Sequence, residues 1–425
     1  MAASFVDHLG RPIVAVTGMG IVTSLGRGKQ ENWDALTSGK SGIHTITRFP
    51  TDNFNTTIAG TVDFMPESGQ GASTLSYALA ETAVAEALEQ AGIHEPFNGP
   101  LFLAAPPVEL EWQDRFRLDQ EIASDKEPGY DKLLENCRMS LHADIFDAVQ
   151  FGSIADRLQE RFGTTGLPVT LSTACASGAT AIQLGVEAIR RGESDRVLSL
   201  GTDGSVSAES LVRFSLLSAL STQNDRPEKA AKPFSKDRDG FVMAEGSAAL
   251  VLESLESATK RGAKILGILK GCGEKADDFH RTRSKPDASP AIAAVREALA
   301  DAGVSADAVN YINAHGTSTP ENDKMEYLAL SVVFGDAIAS IPVSSNKSMI
   351  GHTLTAAGAV EAVLSLMTIQ HGIIPPTINN DTPDPAILLD VVPNTMRKQG
   401  VNIVLSSSFG FGGQNTCLVM EAAPN

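Results

Sequence analysis

The sequence predicts an α/β protein built from two similar halves. Short apolar runs alternate with amphipathic stretches at helical spacing, the pattern of helices packed on a sheet. At 425 residues the chain is longer than one ordinary domain. A helical stretch that opens in small residues occurs twice, after Cys175 and after His352, and each time a reactive side chain precedes it. These observations favour a duplicated α/β unit.

In the first half, apolar runs predict four strands and helical spacing predicts two helices. The predicted strands are 13–18, 101–105, 196–201 and 248–253. The predicted helices are 77–91, which Gly92 ends, and 179–190, which follows Cys175. The segment 106–150 is charged and lacks clear periodicity. We predict that it is an irregular insertion, a common place for partner or substrate contacts.

The second half repeats a similar order of elements. The predicted strands are 264–271, 309–313 and 401–405, and the predicted helices are 289–303, which ends in a glycine, and 355–364. We place the boundary between the halves near Arg261 and Gly262. The N-terminal half is then 1–262, with the insertion inside it, and the C-terminal half is 263–425.

The composition limits which molecules the protein is expected to bind and in which cellular compartment it is expected to occur. A net charge of −17 argues against nucleic acid, which requires a concentrated basic surface. The four cysteines show no CxxC spacing, so we expect neither a zinc site nor disulfides. The N-terminal residues do not form a secretory signal, and no apolar run reaches transmembrane length. We therefore expect a cytoplasmic protein in a reducing compartment, without a membrane span.

Cys175 is the most informative residue. It stands in the segment STACASG, between an apolar stretch and a run of small residues at helical spacing. A strand that turns into a helix exposes the side chain at the junction, and the unpaired N–H groups of the helix favour a thiolate. A lone cysteine is more often a buried small residue, but the glycine and serine that follow leave room for a substrate. We predict a nucleophile.

Two later segments provide partners for this cysteine. His315 lies in NAHGTSTP and His352 in NKSMIGH, both of which are turn-like and polar. A Cys-His pair suits a thiol hydrolase. Two histidines better suit carbon–carbon bond formation, in which an enolate oxygen needs two hydrogen-bond donors. Lys347 could hold charge in the same pocket, although lysine is usually a surface residue.

Two glycine-rich segments allow several interpretations. Gly18 and Gly20 follow a predicted strand, but Thr23 stands where a dinucleotide fingerprint requires its third glycine, so we favour tight strand-to-helix packing. The segment 409–415 (FGFGGQN) lacks the lysine of a phosphate loop. It is either an ordinary glycine turn or a turn beside Cys175 that presents N–H groups to an oxyanion.

Six segments together resemble the β-ketoacyl-acyl carrier protein synthases of the KAS I/II group. They occur in that family's order across almost the whole chain, and jointly they are very specific. The segments are VTGMGIV at 16–22, TACASG at 173–178, RDGF at 238–241, NAHGTSTP at 313–320, KSMIGH at 347–352 and FGFGG at 409–413.

The resemblance implies a thiolase-like five-layer α-β-α-β-α fold of two duplicated halves, usually found as a homodimer. It also implies a ping-pong condensation in fatty acid elongation. Cys175 would take an acyl chain from a carrier protein, and malonyl-carrier would then lose CO₂ and attack the acyl-cysteine. No resident cofactor or metal is implied, because phosphopantetheine arrives on the acyl carrier protein.

The resemblance also implies roles for the other residues of these segments. His315 and His352 would donate hydrogen bonds to the thioester oxygen as the enolate forms, and Lys347 would support His315, with Glu326 behind it. Roles carried over from the family are an oxyanion hole or gate for Cys175, Gly410 and Phe411, a position near the departing CO₂ for Phe241, and pantetheine contacts for Thr317, Thr319 and His280.

The chain departs from the family pattern in three places. The segment 106–112 (PPVELEW) stands where the family has small residues beside the acyl pocket. The segment 142–150 replaces an aromatic and proline-rich stretch. The N-terminal helix that often brings basic residues to the carrier lies within 49–114, which contains no Lys or Arg. We therefore expect an unusual acyl chain, a specialised carrier, or both.

Three alternatives remain open from the sequence. The first is a ketosynthase of polyketide or other specialised acyl assembly, although Ala176 suits fatty acid synthases better. The second is a non-catalytic subunit that sets chain length, but such proteins lack the nucleophile. The third is a thiolase or thiol hydrolase. A thiolase needs a second catalytic cysteine, whereas Cys417 has the pattern of a buried strand residue.

Overall fold

The computed structural model describes residues 4–94, 96–107, 109–120, 129–138 and 143–424. The strands in these ranges are β1 (Val14–Thr23), β2 (Gly26–Arg27), β3 (His44–Thr45), β4 (Ile58–Ala59), β5 (Leu101–Ala104), β6 (Val169–Leu171), β7 (Arg196–Asp203), β8 (Gly246–Ser254), β9 (Gly267–Ala276), β10 (Tyr311–Asn313), β11 (Pro342–Ser344), β12 (Ile373–Ile374), β13 (Asp390–Val391), β14 (Arg397–Lys398), β15 (Ile403–Phe409) and β16 (Gln414–Glu421). The α-helices are α1 (Gly28–Thr37), α2 (Ala72–Ala91), α3 (Trp112–Gln120), α4 (Tyr130–Arg138), α5 (Ala143–Val149), α6 (Ser153–Phe162), α7 (Ser177–Arg190), α8 (Ala208–Leu216), α9 (Leu255–Lys260), α10 (Ser289–Ala302), α11 (Pro320–Phe334), α12 (Lys347–Ile350) and α13 (Ala357–His371).

The two halves arrange their strands in the same order. The first array runs β6-β5-β7-β8-β1, and the second runs β11-β10-β15-β16-β9, with β13 at its outer edge. In both arrays the first three strands are parallel and the last two pairings are antiparallel. A short antiparallel pairing between β1 and β9 joins them into one mixed sheet. The boundary predicted at residue 262 falls between α9 and β9.

Alternate side chains of the strands face different helices, which defines the layers. In β8, Ala249 and Val251 pack with residues of α2 and α6, whereas Ala248 and Leu250 pack with α7 and α13. In the second array, residues of β15 and β16 alternate in the same way between α13 on one face and α10 with α11 on the other. The chain therefore has the α-β-α-β-α order that the resemblance implied.

Helices α7 and α13 form the central layer and cross at two glycines. A Cβ on Gly178 would lie 2.6 Å from the backbone nitrogen of Ala359, and a Cβ on Gly358 would overlap the backbone of Ala179. Gly178 and Gly358 are each the second residue of their helix. The close crossing brings the N-termini of both helices to one place, so the residues that precede them, Cys175 and His352, approach each other.

The first strand corrects one prediction. We expected this strand to end at Gly18, but β1 continues through both glycines to Thr23. A Cβ at Gly18 or Gly20 would overlap the backbone of α2. The glycines therefore permit the close strand-to-helix packing that we favoured over a dinucleotide site, without breaking the strand.

The insertion is more regular than we predicted, because its described residues form α3, α4 and α5. Leu118 of α3 and Ile145 of α5 are buried, whereas Trp112 and Phe116 are more than half exposed. Because α3 exposes two of its large apolar side chains, its apolar positions do not mark a buried face in the sequence. The segment expected at 142–150 is described from residue 143, where α5 begins.

None of the helices in the described ranges combines the length and the apolar character that crossing a bilayer requires.

Candidate active site

Cys175 lies in a tight turn between β6 and α7. Ala174 has a φ of 50°, a left-handed conformation that is uncommon for alanine. The Oγ of Ser177 holds the turn, because it accepts from the Thr173 N–H at 2.7 Å and donates to the Ala174 carbonyl at 2.5 Å. The turn places the half-buried Cys175 two residues before the first residue of α7.

His315 lies in the loop that follows β10, and Glu326 of α11 fixes this loop. The two carboxylate oxygens of Glu326 accept from the backbone N–H groups of His315 and Gly316, each at 2.8 Å. Burial raises the pKa of Glu326 to about 7. Glu326 therefore positions His315 through the backbone, and it lies behind the histidine as expected.

His352 is held by its backbone on one side and by its ring on the other. Its N–H donates to the Val242 carbonyl at 2.7 Å, and its carbonyl accepts from the Ala244 N–H at 2.9 Å. The Leu354 N–H donates to Nδ1 of the ring at 3.2 Å. Because a backbone N–H can only donate, Nδ1 is the acceptor and the ring proton lies on Nε2.

The two imidazoles converge beside the cysteine sulfur. Their ring centroids are 5.3 Å apart at an interplanar angle of 84°. The Cys175 Sγ and one nitrogen from each ring all lie within 4.8 Å of one another. Burial, followed by the nearby Lys347 ammonium, holds the pKa of both histidines well below the usual value, so both rings are neutral at neutral pH.

Each neutral ring carries its proton on Nε2, and the His315 ring also forms a hydrogen bond with the Phe409 backbone. Nδ1 of His315 lies 3.4 Å from Nζ of Lys347, which can only donate, so the His315 proton is also on Nε2. Nε2 of His352 is buried and has no hydrogen-bond partner among the described residues. Both rings are therefore hydrogen-bond donors. A metal ion would need the lone pairs instead, and the Leu354 N–H opposes the tautomer that would expose one on His352.

Lys347 is buried, and its charge partner is a residue that we missed in the sequence. Nζ donates to the His315 carbonyl at 2.7 Å and forms an ion pair with Glu361 of α13. Burial raises the pKa of Glu361 to about 7, although the Lys347 ammonium opposes this rise. A glutamate fourteen positions after a lysine is not a recognisable motif, and a glutamate in a predicted helix is expected to face solvent.

The ionisation state of Cys175 differs from our prediction. Burial, together with the nearby Asp203 and Glu361 carboxylates, raises the pKa of the thiol to about 11, although the Phe411 N–H and the Lys347 ammonium oppose this rise. We expected the N-terminus of α7 to favour a thiolate. Because desolvation outweighs the stabilising groups, the resting nucleophile is the thiol.

The glycine turn at 409–413 lies directly against the nucleophile loop. A Cβ on Gly410 would lie 2.7 Å from the Thr173 carbonyl and 3.3 Å from the Ala176 nitrogen, so only glycine fits there. The backbone N–H of Phe411 forms a hydrogen bond that favours the Cys175 thiolate. Of the two interpretations of this turn, the geometry supports the one that places N–H groups beside the sulfur.

A tunnel of about 500 Å³ connects the cysteine and both histidines to the surface. Thr317, Thr319 and His280 line it, and the hydroxyls of the two threonines lie 2.9 Å apart. Phe241 lies beside the inner end, with its ring centroid 5.4 Å from that of His352. The predicted site residues thus line this tunnel, except Lys347 and Glu326, which lie behind His315.

Asp203 is a second residue that sequence reasoning missed. It ends β7, and its buried carboxylate accepts from the Thr355 hydroxyl at 2.8 Å and from the Ser205 hydroxyl at 2.6 Å. It therefore fixes the turn that follows His352. A polar residue at the carboxyl end of a central strand was the available signal, because such strand ends commonly face a site.

The fold and this site together define a class of protein. Two stacked α/β arrays hold a cysteine and two N–H-bearing imidazoles at the end of a tunnel, which suits a condensing enzyme of the acyltransferase type on a thiolase-like fold. The chain belongs to the β-ketoacyl synthase family. Residues 12–258 match the N-terminal domain of β-ketoacyl synthases and residues 266–381 match the C-terminal domain.

Curated relatives cover nearly the full length. The chain is 36% identical over 415 residues to 3-oxoacyl-[acyl-carrier-protein] synthase 2 of Coxiella burnetii, covering 96% of this chain and 98% of the relative. It is 37% identical over 414 residues to the tetracenomycin polyketide synthase ketoacyl synthase alpha subunit of Streptomyces glaucescens, covering 96% of each.

Solved structures of the family share the fold. One is a type II polyketide synthase acyl-carrier protein in complex with its ketosynthase bound to the hexaketide, with a TM-score of 0.87 and 31% identity over 97% of this chain and 100% of that one. Another is a β-ketoacyl synthase from Burkholderia phymatum, with a TM-score of 0.82 and 32% identity over the same shares.

Proposed function

We propose that this chain is a β-ketoacyl-acyl carrier protein synthase that elongates an acyl chain by decarboxylative Claisen condensation. The observation that carries the proposal is the pair of neutral imidazoles, His315 and His352, which converge beside the Cys175 sulfur and whose Nδ1 atoms each face a donor. A hydrolase would need one base with a free lone pair, whereas two donors suit an enolate oxygen.

In the first half-reaction, the Cys175 sulfur attacks the thioester carbonyl of an acyl-carrier. A new carbon–sulfur bond forms to Cys175, the bond to the pantetheine sulfur breaks, and the thiol proton ends on that sulfur. The N–H groups of Cys175 and Phe411 stabilise the oxyanion that forms on the way. The acyl group then remains on the enzyme as a thioester.

In the second half-reaction, malonyl-carrier loses CO₂ beside the two histidines. The electrons of the broken carbon–carbon bond form an enolate, and the Nε2–H groups of His315 and His352 stabilise its oxygen. The enolate carbon attacks the acyl-cysteine carbonyl, and the bond to sulfur breaks. The products are β-ketoacyl-carrier, CO₂ and Cys175, whose sulfur regains a proton from solvent.

The partner in this proposal is an acyl carrier protein, and the only prosthetic group required is the phosphopantetheine that it carries. The tunnel and its two threonines offer a path for the pantetheine arm. Arg281, Arg283 and Lys324 line the outer part of the tunnel and are exposed. Their positive charges would locally offset the repulsion between this chain, whose net charge is −17, and the negative phosphodiester of the phosphopantetheine arm.

We also propose a homodimer in the cytoplasm. Strand β6 forms the edge of the first array. Its first residue, Val169, is 40% exposed, and Leu167 just before the strand is 91% exposed. An exposed edge with apolar side chains suits pairing with a second chain. A catalytic thiol also suits a reducing compartment.

A ketosynthase of polyketide or other specialised acyl assembly is the second candidate. The observation that favours it is the helical insertion with its segment 106–112, which departs from the family pattern beside the nucleophile. The similarity to the tetracenomycin ketoacyl synthase alpha subunit agrees with this alternative as well as with fatty acid elongation. The reaction is the same in both cases, and the acyl chain and the carrier differ.

The test is a turnover assay with purified chain, acyl-carrier and malonyl-carrier. We expect β-ketoacyl-carrier and CO₂ in equal amounts, and no β-ketoacyl-carrier from the C175S variant. Assays on the fatty acid carrier and on carriers of specialised pathways separate the two candidates. Release of free fatty acid without CO₂ would show a hydrolase and overturn the proposal.

A further inference from the structure

A second cavity, of about 200 Å³, also begins at the nucleophile. It shares Cys175, Phe214 and Phe411 with the entrance tunnel. Its wall is formed by the nucleophile loop, the end of β7, α8, the loop after His352 and the start of α2. Pro106, Pro107, Glu109 and Glu111 complete it. If the proposed function holds, this cavity receives the acyl chain bound to Cys175, and the inference below rests on that function.

Two carboxylates tie Glu109 and Trp112 to α8. Glu109 forms an ion pair with Arg213 of α8. Glu209 of α8 accepts from the Trp112 N–H at 2.6 Å. Both contacts fix the position of the residue between them in sequence, Glu111.

Glu111 closes the cavity against the opposite wall. Its Oε1 accepts from the N–H of Ala72, the first residue of α2, at 2.5 Å. A separate cleft of about 240 Å³ lies on the other side of this contact, between the start of α2 and α5. Glu111 and Ala72 line both spaces. The hydrogen bond between them is therefore a partition between the cavity at Cys175 and the outer cleft.

We propose that Glu111 is a specificity-determining residue that limits the length of the acyl chain on Cys175. Its carboxyl group, held by the Ala72 N–H, stops the chain at the partition. Replacing it with a small residue joins the two spaces and admits longer chains.

The volumes set the expected limit. If each methylene occupies about the 30 Å³ of a water molecule, a cavity of about 200 Å³ holds about seven such groups. Joining the cleft of about 240 Å³ would roughly double this capacity. The wild type should therefore accept short and medium acyl groups and reject longer ones sharply, because overfilling a packed pocket costs free energy with each added methylene.

The electrostatic surroundings fit an apolar neighbour at this wall. Burial, and then the nearby carboxylates of Glu209 and Asp114, raise the pKa of Glu111. A raised pKa favours the uncharged carboxyl, which tolerates contact with an alkyl chain better than a carboxylate does.

The experiment measures condensation with acyl-carriers from about four to about fourteen carbons long. The variants are E111A, the size-matched E111Q, and D147A, which changes an exposed carboxylate of α5. We expect the wild type, E111Q and D147A to lose activity beyond about eight carbons. For E111A we expect the ratio of the rate with a twelve-carbon chain to the rate with a six-carbon chain to be at least about tenfold higher than in the wild type. A single methylene in a hydrophobic pocket can alone change a rate about tenfold.

Two outcomes overturn the inference. One is a wild-type profile that extends undiminished to twelve carbons, which needs no variant to observe. The other is an E111A profile identical to that of the wild type while CO₂ release from malonyl-carrier remains normal. If instead no acyl chain of any length is transferred to Cys175, the proposed function itself fails, and this result is distinct from both.

Discussion

Leu354 sets the tautomer of His352, because its backbone N–H donates to Nδ1 at 3.2 Å and leaves the proton on Nε2. The Nε2–H group of His352 is buried and has no protein partner in the described part of the chain. Burial keeps the pKa of the ring well below its usual value. His352 is thus a neutral donor ready for a developing negative oxygen, which is the role that decarboxylation requires.

Replacing His352 should separate the two half-reactions. In H352A, CO₂ release from malonyl-carrier should fall about 10²- to 10³-fold, the usual cost of losing one donor to a developing oxyanion. Acylation of Cys175 should change much less, because the N–H groups of Cys175 and Phe411 remain. The surface variant H44A is the control. Equal losses in both half-reactions would contradict this division of roles.

The buried pair of Lys347 and Glu361 should contribute to stability as well as to the site. In K347M, Glu361 loses its charge partner at a position that is 2% exposed. The free energy of unfolding in urea should fall by about 3–5 kcal/mol, the usual cost of leaving one buried ion unpaired. Adding E361Q to K347M should recover part of the loss.

The matched control for this pair is Lys260, which forms an exposed ion pair with Glu256 on α9. K260M should leave unfolding unchanged, because exposed pairs contribute little. Equal stability of K347M and the wild type would show that the buried charges are not coupled as the geometry indicates.

The rate at which Cys175 is alkylated should rise steadily with pH, because the pKa of its thiol is raised. Its pKa is raised to about 11, and only the thiolate reacts with iodoacetamide. The thiolate fraction therefore rises about tenfold per pH unit from neutrality to about pH 10. The rate of alkylation, followed by mass spectrometry, should rise with it. A plateau below pH 8 would show a stabilised thiolate.

Gly410 should be needed for the nucleophile's geometry. In G410A the new methyl group would meet the Thr173 carbonyl at 2.7 Å, so the turn or the nucleophile loop must shift. A shift of about 1 Å can cost about 10²-fold in rate, and we expect acylation of Cys175 to slow by that order. G400A, at a glycine with open space around it, is the control. Normal acylation by G410A would rule out the close contact.

The sequence was sufficient for features that depend on local chemistry. Gly92 and Gly303 were predicted to end their helices, and both adopt the left-handed conformation that favours glycine. Cys417 was predicted to be a buried strand residue, and it is fully buried in β16. The cysteine and the two histidines could be grouped because each stands in a polar, glycine-rich turn.

Features that depend on packing across the fold could not be predicted. The thiolate expected at Cys175 followed from the helix N-terminus alone, whereas the desolvation that raises the pKa of the thiol depends on residues distant in sequence. Glu361 pairs with Lys347 only because α13 crosses the centre of the molecule. The partition at Glu111 likewise requires α2 and the insertion to meet.

The central claim is that Cys175 carries the acyl chain and that His315 and His352 act on a second substrate beside it. Intact-mass analysis of a single turnover tests this most directly. Acyl-carrier should add one acyl group at Cys175, and malonyl-carrier should then remove it as β-ketoacyl-carrier with release of CO₂. An acyl group located elsewhere, or one that malonyl-carrier leaves in place, would contradict the account.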